Sequence, residues 1–357
     1  MTASNAASTA AAPWLLNAWY VAAWSSELGE QPLGRTLLDR PVVFWRRPEG
    51  GVAAIGGRCP HRFAPLAAGK QVGDSIECPY HGLRFDASGA CSFNPHGEGA
   101  IPRAARVPAY PVLERHRLVW FWPGDPQRAD PALVPELPHL DRDDLGHVTG
   151  TMGVDAHYEL YVDNLMDLTH AQFVHGEFVG SGAFSSAEQS VEQEGARIVN
   201  RIAIAASDVP PMYRAHLPAD VEHVYYWMDS FWHPPSIVTN WVGVTVPGRS
   251  REAGLYSHGT HIVTPASRHA SHYFFGNSRN LQVGDAEVDA KFREWQRVGF
   301  GLQDKPIIEA CARLMGDVVD PLSLRAVLLP SDAAAVRVRR TLARLRQEEA
   351  SSAALSP

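Results

Sequence analysis

The sequence contains few cysteines and lacks a long apolar run. Four cysteines in 357 residues are too few for a disulfide framework, so we expect a protein of the reducing cytoplasm. No uninterrupted apolar stretch reaches the ~18 residues that a membrane-spanning helix requires. Residues 1–12 have neither a basic residue nor an apolar segment, and we therefore expect a disordered Ala/Ser tail here instead of a secretory signal.

An excess of positive charge is also missing. The 32 Lys and Arg residues and the 39 Asp and Glu residues give a formal net charge of −7, which argues against general affinity for nucleic acid or an anionic membrane. We find no G-x-G-x-x-G motif after a strand and no P-loop, so we expect no nicotinamide or flavin site in this chain. The composition, 45% hydrophobic and 20% charged, is that of a globular protein.

The pattern of strands and turns predicts two domains. Five prolines from Pro123 to Pro138 interrupt regular structure and indicate a connector. Before it lie short β-type runs separated by Gly and Pro, such as Pro41–Arg46, Val52–Ile55, Leu83–Asp86 and Ala90–Phe93. We therefore predict an all-β domain over residues 13–145 and a second domain over residues 146–350.

The second half has longer elements. A strand is predicted at Ala156–Val162 and a short helix at Asp163–Val174. Further strands are predicted at Ala196–Ala205, His223–Trp232, Ser236–Val246, Thr260–Thr264 and Ser271–Ser278. From Asp285 to Met315 the apolar residues recur every three to four positions, and a last helix begins after Ser331 or Asp332, with its basic residues on a solvated face. The predicted fold class is α+β, with an antiparallel sheet flanked by helices in the second domain.

Two Cys–His pairs are the strongest indication of chemistry. Cys59-Pro60-His61 is followed, after sixteen residues, by Cys78-Pro79-Tyr80-His81. A structural zinc site is one interpretation, but zinc fingers pair Cys with Cys and His with His. Here each loop supplies one thiolate and one imidazole. This arrangement favours a [2Fe–2S] cluster in which one iron binds both thiolates and the other binds both imidazoles.

A second group of metal-binding residue types lies further along the chain. Asn164, Asp167 and His170 recur every third residue, which places them on one side of a helix. His175 is about 140° away from His170 on an ideal helix, so both can face one metal only if the helix loosens or ends, for which Gly176 is suited. Acidic residues that could complete a metal site with these histidines lie further along the chain. Spacing does not select the carboxylate among Glu287, Asp289, Glu294, Asp304 and Glu309.

These motifs resemble those of the Rieske non-heme iron oxygenases. The resemblance is carried by RCPHR at 58–62, CPYHGLRFD at 78–86 and the N-x-x-D-x-x-H-x(4)-H spacing at 164–175. NPHGEG at 94–99 and YPVLERHRLVWFWPGDP at 110–126 are most similar to the vanillate and dicamba O-demethylase branch. The resemblance implies a Rieske cluster on Cys59, His61, Cys78 and His81, and a mononuclear Fe(II) on His170, His175 and Asp304.

The same resemblance implies roles for other residues and for partners. Asp167 would bridge His170 and the neighbouring subunit's His81 in a head-to-tail homotrimer. Asn164 would either lie near the iron without binding it or only satisfy backbone groups, and the substrate pocket would be lined by Asn240, His261 and Trp295. Electrons would come from a separate reductase, with or without a ferredoxin, so NAD(P)H would act only through that reductase.

The expected function is that of a terminal oxygenase that uses O₂ to oxidise a small aromatic substrate. The resemblance favours O-demethylation of a methoxybenzoate-type aryl methyl ether to a phenol and formaldehyde. Ring hydroxylation, N-demethylation and methyl hydroxylation are alternatives within the family. A Rieske electron carrier without catalysis is the alternative from another class of protein. We expect neither a nucleic acid nor a membrane as a partner.

Overall fold

The computed structural model describes residues 13–179, residue 184 and residues 187–354. The tail predicted at residues 1–12 lies outside the described residues. The described chain forms an N-terminal part made of small sheets and a second part built on one large sheet.

Three small antiparallel sheets form the N-terminal part. Their strands are β1 (Tyr20–Trp24), β2 (Leu33–Leu37), β3 (Arg40–Arg46), β4 (Val52–Gly56), β5 (Lys70–Val72), β6 (Ser75–Glu77), β7 (Arg84–Asp86), β8 (Cys91–Phe93), β9 (Val112–Arg115) and β10 (Leu118–Phe121). The strand orders are β1-β10-β9, β2-β3-β4 and β5-β6-β7-β8. The strands predicted at 41–46, 52–55, 83–86 and 90–93 are confirmed with shifted ends, because β-favouring residues lie between turns there.

A seven-stranded antiparallel sheet forms the second part, in the order β11-β17-β16-β15-β14-β13-β12. Its strands are β11 (Gly146–Val154), β12 (Glu188–Glu194), β13 (Arg197–Asp208), β14 (His223–His233), β15 (Ile237–Thr245), β16 (Leu255–Ser267) and β17 (Ala270–Arg279). The five strands predicted between residues 196 and 278 are confirmed, and β16 is longer than expected at both ends.

Seven α-helices accompany this sheet among the described residues. They are α1 (Tyr158–Met166), α2 (Ala171–Val174), α3 (Gly176–Val179), α4 (Pro211–Arg214), α5 (Ala286–Gln296), α6 (Lys305–Met315) and α7 (Ala333–Ala354). A π-helical segment, Arg297–Asp304, joins α5 to α6. The helix predicted from residue 285 to 315 is therefore confirmed, with a local change of winding inside it.

Helix α1 corrects two predictions. Residues 158–162 were expected to form a strand, but they begin α1, whose acidic residues pair with basic residues of α7: Arg339 binds Glu159 and Asp163, and Arg346 binds Glu159. Arg339 is only 6% exposed, so the predicted solvated basic face is wrong for it and for Arg346. These ion pairs connect residues far apart in sequence, and local β propensity does not report them.

The two parts pack against each other through the large sheet. The Trp24 indole donates to the carbonyl of Gly150 at 3.0 Å, and the Thr264 hydroxyl donates to the carbonyl of Val21 at 2.7 Å. Because side chains alternate across a strand, β16 turns Ile262 toward the tryptophans of the N-terminal part and His261 toward the opposite face. That opposite face carries α1, α5 and the π segment, and it bounds the cavity described below.

Candidate metal centres and substrate cavity

Two loops of the N-terminal part bring both Cys–His pairs together. Cys59 and Cys78 are buried, with 1% and 3% of their surface exposed. His61 and His81 lie closer to solvent, with ring centroids 4.5 Å apart and planes inclined at 60°. Burial raises the pKa of the Cys59 thiol, and a bound metal would offset this by stabilising the thiolate. Two buried sulfurs with two outward imidazoles are the donor set of a Rieske cluster.

The two loops share one backbone conformation. In each, the residue four positions after the cysteine donates its N–H to the cysteine carbonyl: Phe63 to Cys59 at 2.9 Å and Gly82 to Cys78 at 3.0 Å. Phe63 and Gly82 both have left-handed φ angles, 59° and 69°. The same turn therefore presents a thiol and an imidazole twice, which suits a two-iron cluster.

The second group of predicted ligands also converges. The ligand atoms of His170, His175 and Asp304 all lie within 4.8 Å of one another, and no other such group of three is found in the described part of the chain. Nε2 of His175 lies 3.1 Å and Nε2 of His170 lies 3.5 Å from Oδ1 of Asp304. Asp304 is 3% exposed, and such a carboxylate needs a cation nearby.

The other nitrogen of each histidine is already engaged. Nδ1 of His170 donates to the Asp167 carbonyl at 2.6 Å, and Nδ1 of His175 donates to the Gln303 side-chain oxygen at 2.7 Å. Both Nε2 atoms are then free of protons in the neutral rings and can bind a metal. Burial lowers the pKa of His175, but the hydrogen bond and charge of Asp304 outweigh burial and raise it. The site therefore fits a divalent metal with two imidazole ligands and one carboxylate ligand.

The local fold explains how two histidines five residues apart meet. Helix α1 ends at Met166, Asp167 is extended, a 3-10 turn spans Leu168–His170, and α2 then ends before His175. The single helix predicted at 163–174 is therefore wrong, but the predicted interruption is confirmed. Gly176 does not end the helix in a left-handed conformation and instead begins α3.

Asp304 approaches from the end of the π segment. Pro306 has no N–H and excludes an ordinary helical hydrogen bond at this point, which favours the change of winding. Three of the other candidates pair elsewhere, Asp289 with Arg279, Glu294 with Arg297 and Glu309 with Lys305, and the fourth, Glu287, is exposed. The structure thus favours Asp304 as the carboxylate ligand over the other acidic residues, a choice that spacing alone leaves open.

The structure changes the expected role of Asp167 within the chain. Its carboxylate Oδ1 accepts from the backbone and hydroxyl of Thr169, at 3.0 and 2.6 Å, and caps the 3-10 turn. The contact to His170 uses the Asp167 carbonyl, so the prediction of a carboxylate–His170 bond is wrong for this conformation. The contact to a neighbouring subunit stays a prediction.

A cavity of about 220 Å³ lies between the helices and one face of the large sheet. The three predicted pocket residues, Asn240, His261 and Trp295, line it together with His170, His175 and Asp304. Asn164 lines it too, with Nδ2 3.4 Å from Asp304 Oδ1, while its buried Oδ1 has no hydrogen-bond partner. Apart from Asp167, which does not line the cavity, the predicted residues of the second site thus meet in one place.

Four residues of this site were missed in the sequence. Gln303 orients His175, and the Tyr273 hydroxyl lies 2.6 Å from Nδ1 of His261. Asn277 and Gln296 also line the cavity. Gln303 directly precedes the predicted ligand Asp304 and Gln296 directly follows the predicted pocket residue Trp295, and this proximity was the one signal available; nothing in the sequence marks Tyr273 or Asn277.

Comparison with known proteins identifies the family. Residues 18–111 match the Rieske [2Fe-2S] domain, and residues 154–348 match the vanillate O-demethylase oxygenase C-terminal domain. The oxygenase component of dicamba O-demethylase from Stenotrophomonas maltophilia is 42% identical over 94% of this chain and 98% of its own. The vanillate O-demethylase oxygenase subunit of Pseudomonas sp. (strain HR199 / DSM 7063) is 33% identical over 95% and 97%.

Other relatives and solved structures agree. The oxygenase component of chloroacetanilide N-alkylformylase from Rhizorhabdus wittichii is 39% identical over 92% of this chain and 94% of its own. Dicamba monooxygenase bound to 3,6-dichlorosalicylic acid superposes with a TM-score of 0.89, at 42% identity, over 96% of this chain and 99% of that one. A further dicamba monooxygenase structure, with non-heme iron and dicamba, has a TM-score of 0.83 at 40% identity over 95% and 99%.

These similarities decide several predictions. The α+β fold, the Rieske cluster and the mononuclear iron are confirmed, whereas the residues that hold the metals stay predictions. The relatives are named oxygenase components, which implies a separate reductase. Among the described residues no helix is long and apolar enough to cross a membrane. The chain belongs to the Rieske oxygenases, and it is the oxygenase component of such a system.

Proposed function

We propose that this protein O-demethylates a methoxybenzoate-type aryl methyl ether to a phenol and formaldehyde. One observation supports this most: the convergent metal-ligand atoms and the predicted substrate-binding side chains line the same cavity. Its walls are largely apolar, with a few polar groups, as is usual for pockets that bind aromatic molecules. The similarity to dicamba and vanillate O-demethylases supports the reaction class.

We assign the metals to two regions of the chain. The Rieske cluster binds to Cys59, His61, Cys78 and His81 in a domain of residues 13–145. The mononuclear Fe(II) binds to His170, His175 and Asp304 in a catalytic domain of residues 146–350. When bound, this iron supplies activation of O₂ on the face that the three side chains leave open.

The remaining residues bind the substrate and exclude water. We infer that Asn240 and His261 hold a carboxylate or phenol of the substrate and that Trp295 packs on its ring. Burial lowers the pKa of His261 to about 4, so the ring is neutral near pH 7. The overall change consumes O₂, two electrons and two protons. One oxygen atom enters the methyl group, whose hemiacetal breaks into phenol and formaldehyde, and the other leaves as water.

Electrons come from a separate reductase, with or without a ferredoxin, and NAD(P)H acts only through it. We propose a head-to-tail homotrimer in the cytoplasm, in which Asp167 meets the neighbouring subunit's His81. Asp167 is half-buried and engages Thr169 through Oδ1, which is consistent with its second carboxylate oxygen facing a neighbour. A trimer of this kind is a closed ring of heterologous contacts.

The test is O₂ uptake by the purified chain with a compatible reductase, NADH and a panel of methoxybenzoates. We expect one formaldehyde per substrate consumed. Formaldehyde from N-methyl substrates alone would indicate N-demethylation, and oxygenated products without formaldehyde would indicate ring or methyl hydroxylation; either would refute the proposal. His170→Ala should remove the mononuclear iron and oxygenation while the Rieske absorption spectrum persists. An electron carrier would contain two irons per chain instead of three.

A further inference from the structure

Two amide side chains that line the cavity, Asn277 and Gln296, each have one buried polar atom without a hydrogen-bond partner. On β17, residues 275, 277 and 279 face the same side because side chains alternate along a strand. On the helix above, residues 292, 296 and 300 recur every four positions and share one side. The Arg279 guanidinium lies 4.7 Å from the Phe292 ring centroid, and the Phe275 and Phe300 ring centroids are 5.3 Å apart. Asn277 and Gln296 occupy the intermediate positions and therefore face each other.

Both amides have buried polar atoms that make no hydrogen bond. Oδ1 of Asn277 and Nε2 of Gln296 are buried and unpartnered, and Gln296 as a whole is 6% exposed. Both side chains line the cavity. Buried polar atoms are almost always paired in folded proteins, because leaving one unpaired is costly. An acceptor and a donor that face one cavity therefore indicate a ligand group that both donates and accepts.

The sheet places this amide pair across from the predicted substrate-binding residues. Asn240, Gly259 and Asn277 are direct register partners on the neighbouring strands β15, β16 and β17. Because two strand spacings separate them, the Cα atoms of Asn240 and Asn277 lie about 10 Å apart. Gly259 between them has no side chain, and an added Cβ would lie 2.6 Å from Nε2 of His261. The His261 imidazole therefore covers Gly259, and a ring packed against that imidazole can present one polar substituent to Asn240 and His261 and another to Asn277.

We propose that Asn277 and Gln296 form a second polar subsite that binds a ring hydroxyl of the substrate. The hydroxyl donates to Oδ1 of Asn277 and accepts from Nε2 of Gln296. It also pairs with both amides if both are turned over, because a hydroxyl is at once a donor and an acceptor. The inference rests on the proposed function and narrows the substrate to a methoxybenzoate whose hydroxyl lies across the ring from its carboxylate. A chlorine or hydrogen at that position leaves both amides unpaired.

The test compares two ligands that differ only in this hydroxyl: 4-hydroxy-3-methoxybenzoate and 3-methoxybenzoate. Equilibrium binding to the iron-loaded protein is measured by calorimetry. We expect the hydroxylated ligand to bind at least tenfold more tightly, since sites built to pair with a hydroxyl discriminate strongly against its absence. In Gln296→Met and in Asn277→Leu this preference should fall several-fold, because each variant removes one of the two hydrogen bonds to the hydroxyl. The same substitution at an exposed helical position, Gln347→Met, should leave it unchanged.

The possible results test the proposed subsite and the proposed O-demethylation separately. Equal binding of both ligands to the native protein, or a preference that persists in both variants, overturns the subsite. Tight, hydroxyl-dependent binding without formaldehyde supports the subsite and refutes O-demethylation. The Rieske absorption and the melting temperature of each variant are measured alongside. If one variant fails to fold, the other decides, because each removes one of the two hydrogen bonds.

Discussion

Nδ1 of His175 lies 2.7 Å from the side-chain oxygen of Gln303. The Gln303 amide donates to Glu177 at 3.0 Å, so its nitrogen is engaged and its oxygen faces the histidine. An oxygen of this kind only accepts, so Nδ1 of His175 carries the proton and Nε2 is left with a lone pair. A Glu–Gln–His chain thus fixes the tautomer required for metal binding.

Replacing Gln303 should weaken iron binding. Gln303→Leu removes the acceptor for His175, and we expect iron affinity to fall about 10- to 100-fold, as is typical for residues that orient a ligand. Dialysis against graded chelator concentrations measures the affinity. Leu302→Ala is the control, because Leu302 is 57% exposed in the same π segment. Unchanged iron retention in Gln303→Leu would contradict the orienting role.

Local patterns predicted most of the strands and, apart from Asp304, the candidate ligands of both metal centres. The strands near residues 41–46 and 271–278 follow from β-favouring residues between turns. The Cys–His spacing predicted the two loops, and the two histidines of the second site followed from their position in the 164–175 motif. In these cases the information lies within a few residues, so the sequence is sufficient.

Contacts between distant residues were not predictable. Residues 158–162 have β propensity, but Glu159 pairs with Arg339, 180 residues away, and the segment is helical. Spacing did not distinguish Asp304 from the other acidic residues, and only the resemblance did, because the partners of those residues, such as Arg279 and Lys305, are positioned by the fold. The facing amides Asn277 and Gln296 likewise depend on how α5 crosses β17.

Asp167→Asn should retain both metal centres and lower turnover. Asparagine keeps the oxygen that caps the 3-10 turn, so the local fold persists. It loses the charge and one acceptor of the proposed bridge between subunits, and we expect at least about a tenfold loss of substrate oxidation. Iron content, Rieske absorption and product formation are measured on the same sample. The fully exposed Asp143→Asn is the control, and full turnover in Asp167→Asn would exclude the bridge.

Tyr273→Phe should weaken substrate binding. The Tyr273 hydroxyl lies 2.6 Å from Nδ1 of His261, and its removal leaves that buried nitrogen without a partner. We expect a loss of about 1–3 kcal/mol in the free energy of unfolding and a higher dissociation constant for the substrate. Tyr213→Phe is a matched control, because the buried Tyr213 hydroxyl has no partner to lose. If Tyr273→Phe and Tyr213→Phe have the same dissociation constant for the substrate, the His261–Tyr273 contact has no role in substrate binding.

Stability should fall as the pH drops from about 6.5 to about 4. Burial lowers the pKa of His157, His233, His258 and His261 to about 4, against 6.5 for an ordinary histidine. The unfolded chain therefore takes up protons first, and the contribution of these residues is complete above pH 6.5 and lost toward pH 4. Urea unfolding across this range measures the free energy.

One variant isolates a single histidine in that pH dependence. His258 stacks on His139 and Trp241, with ring centroids 5.2 and 6.0 Å apart, so His258→Phe preserves an aromatic ring while removing the titratable group. We expect a weaker dependence of the unfolding free energy on pH. The exposed His269→Phe should leave that dependence unchanged. An identical pH dependence in His258→Phe and the native chain would show that His258 titrates normally.

Gly82→Ala should destabilise the second cluster loop. Gly82 has φ 69°, where a Cβ costs about 1 kcal/mol, and its added Cβ would also lie 3.1 Å from Cγ of Pro95. Gly73 has φ 59° with open space around it, so Gly73→Ala carries the backbone strain alone. Thermal loss of the Rieske absorption should occur at a lower temperature in Gly82→Ala than in Gly73→Ala. If Gly73→Ala loses the Rieske absorption at the lower temperature, the close approach of Pro95 does not constrain this loop.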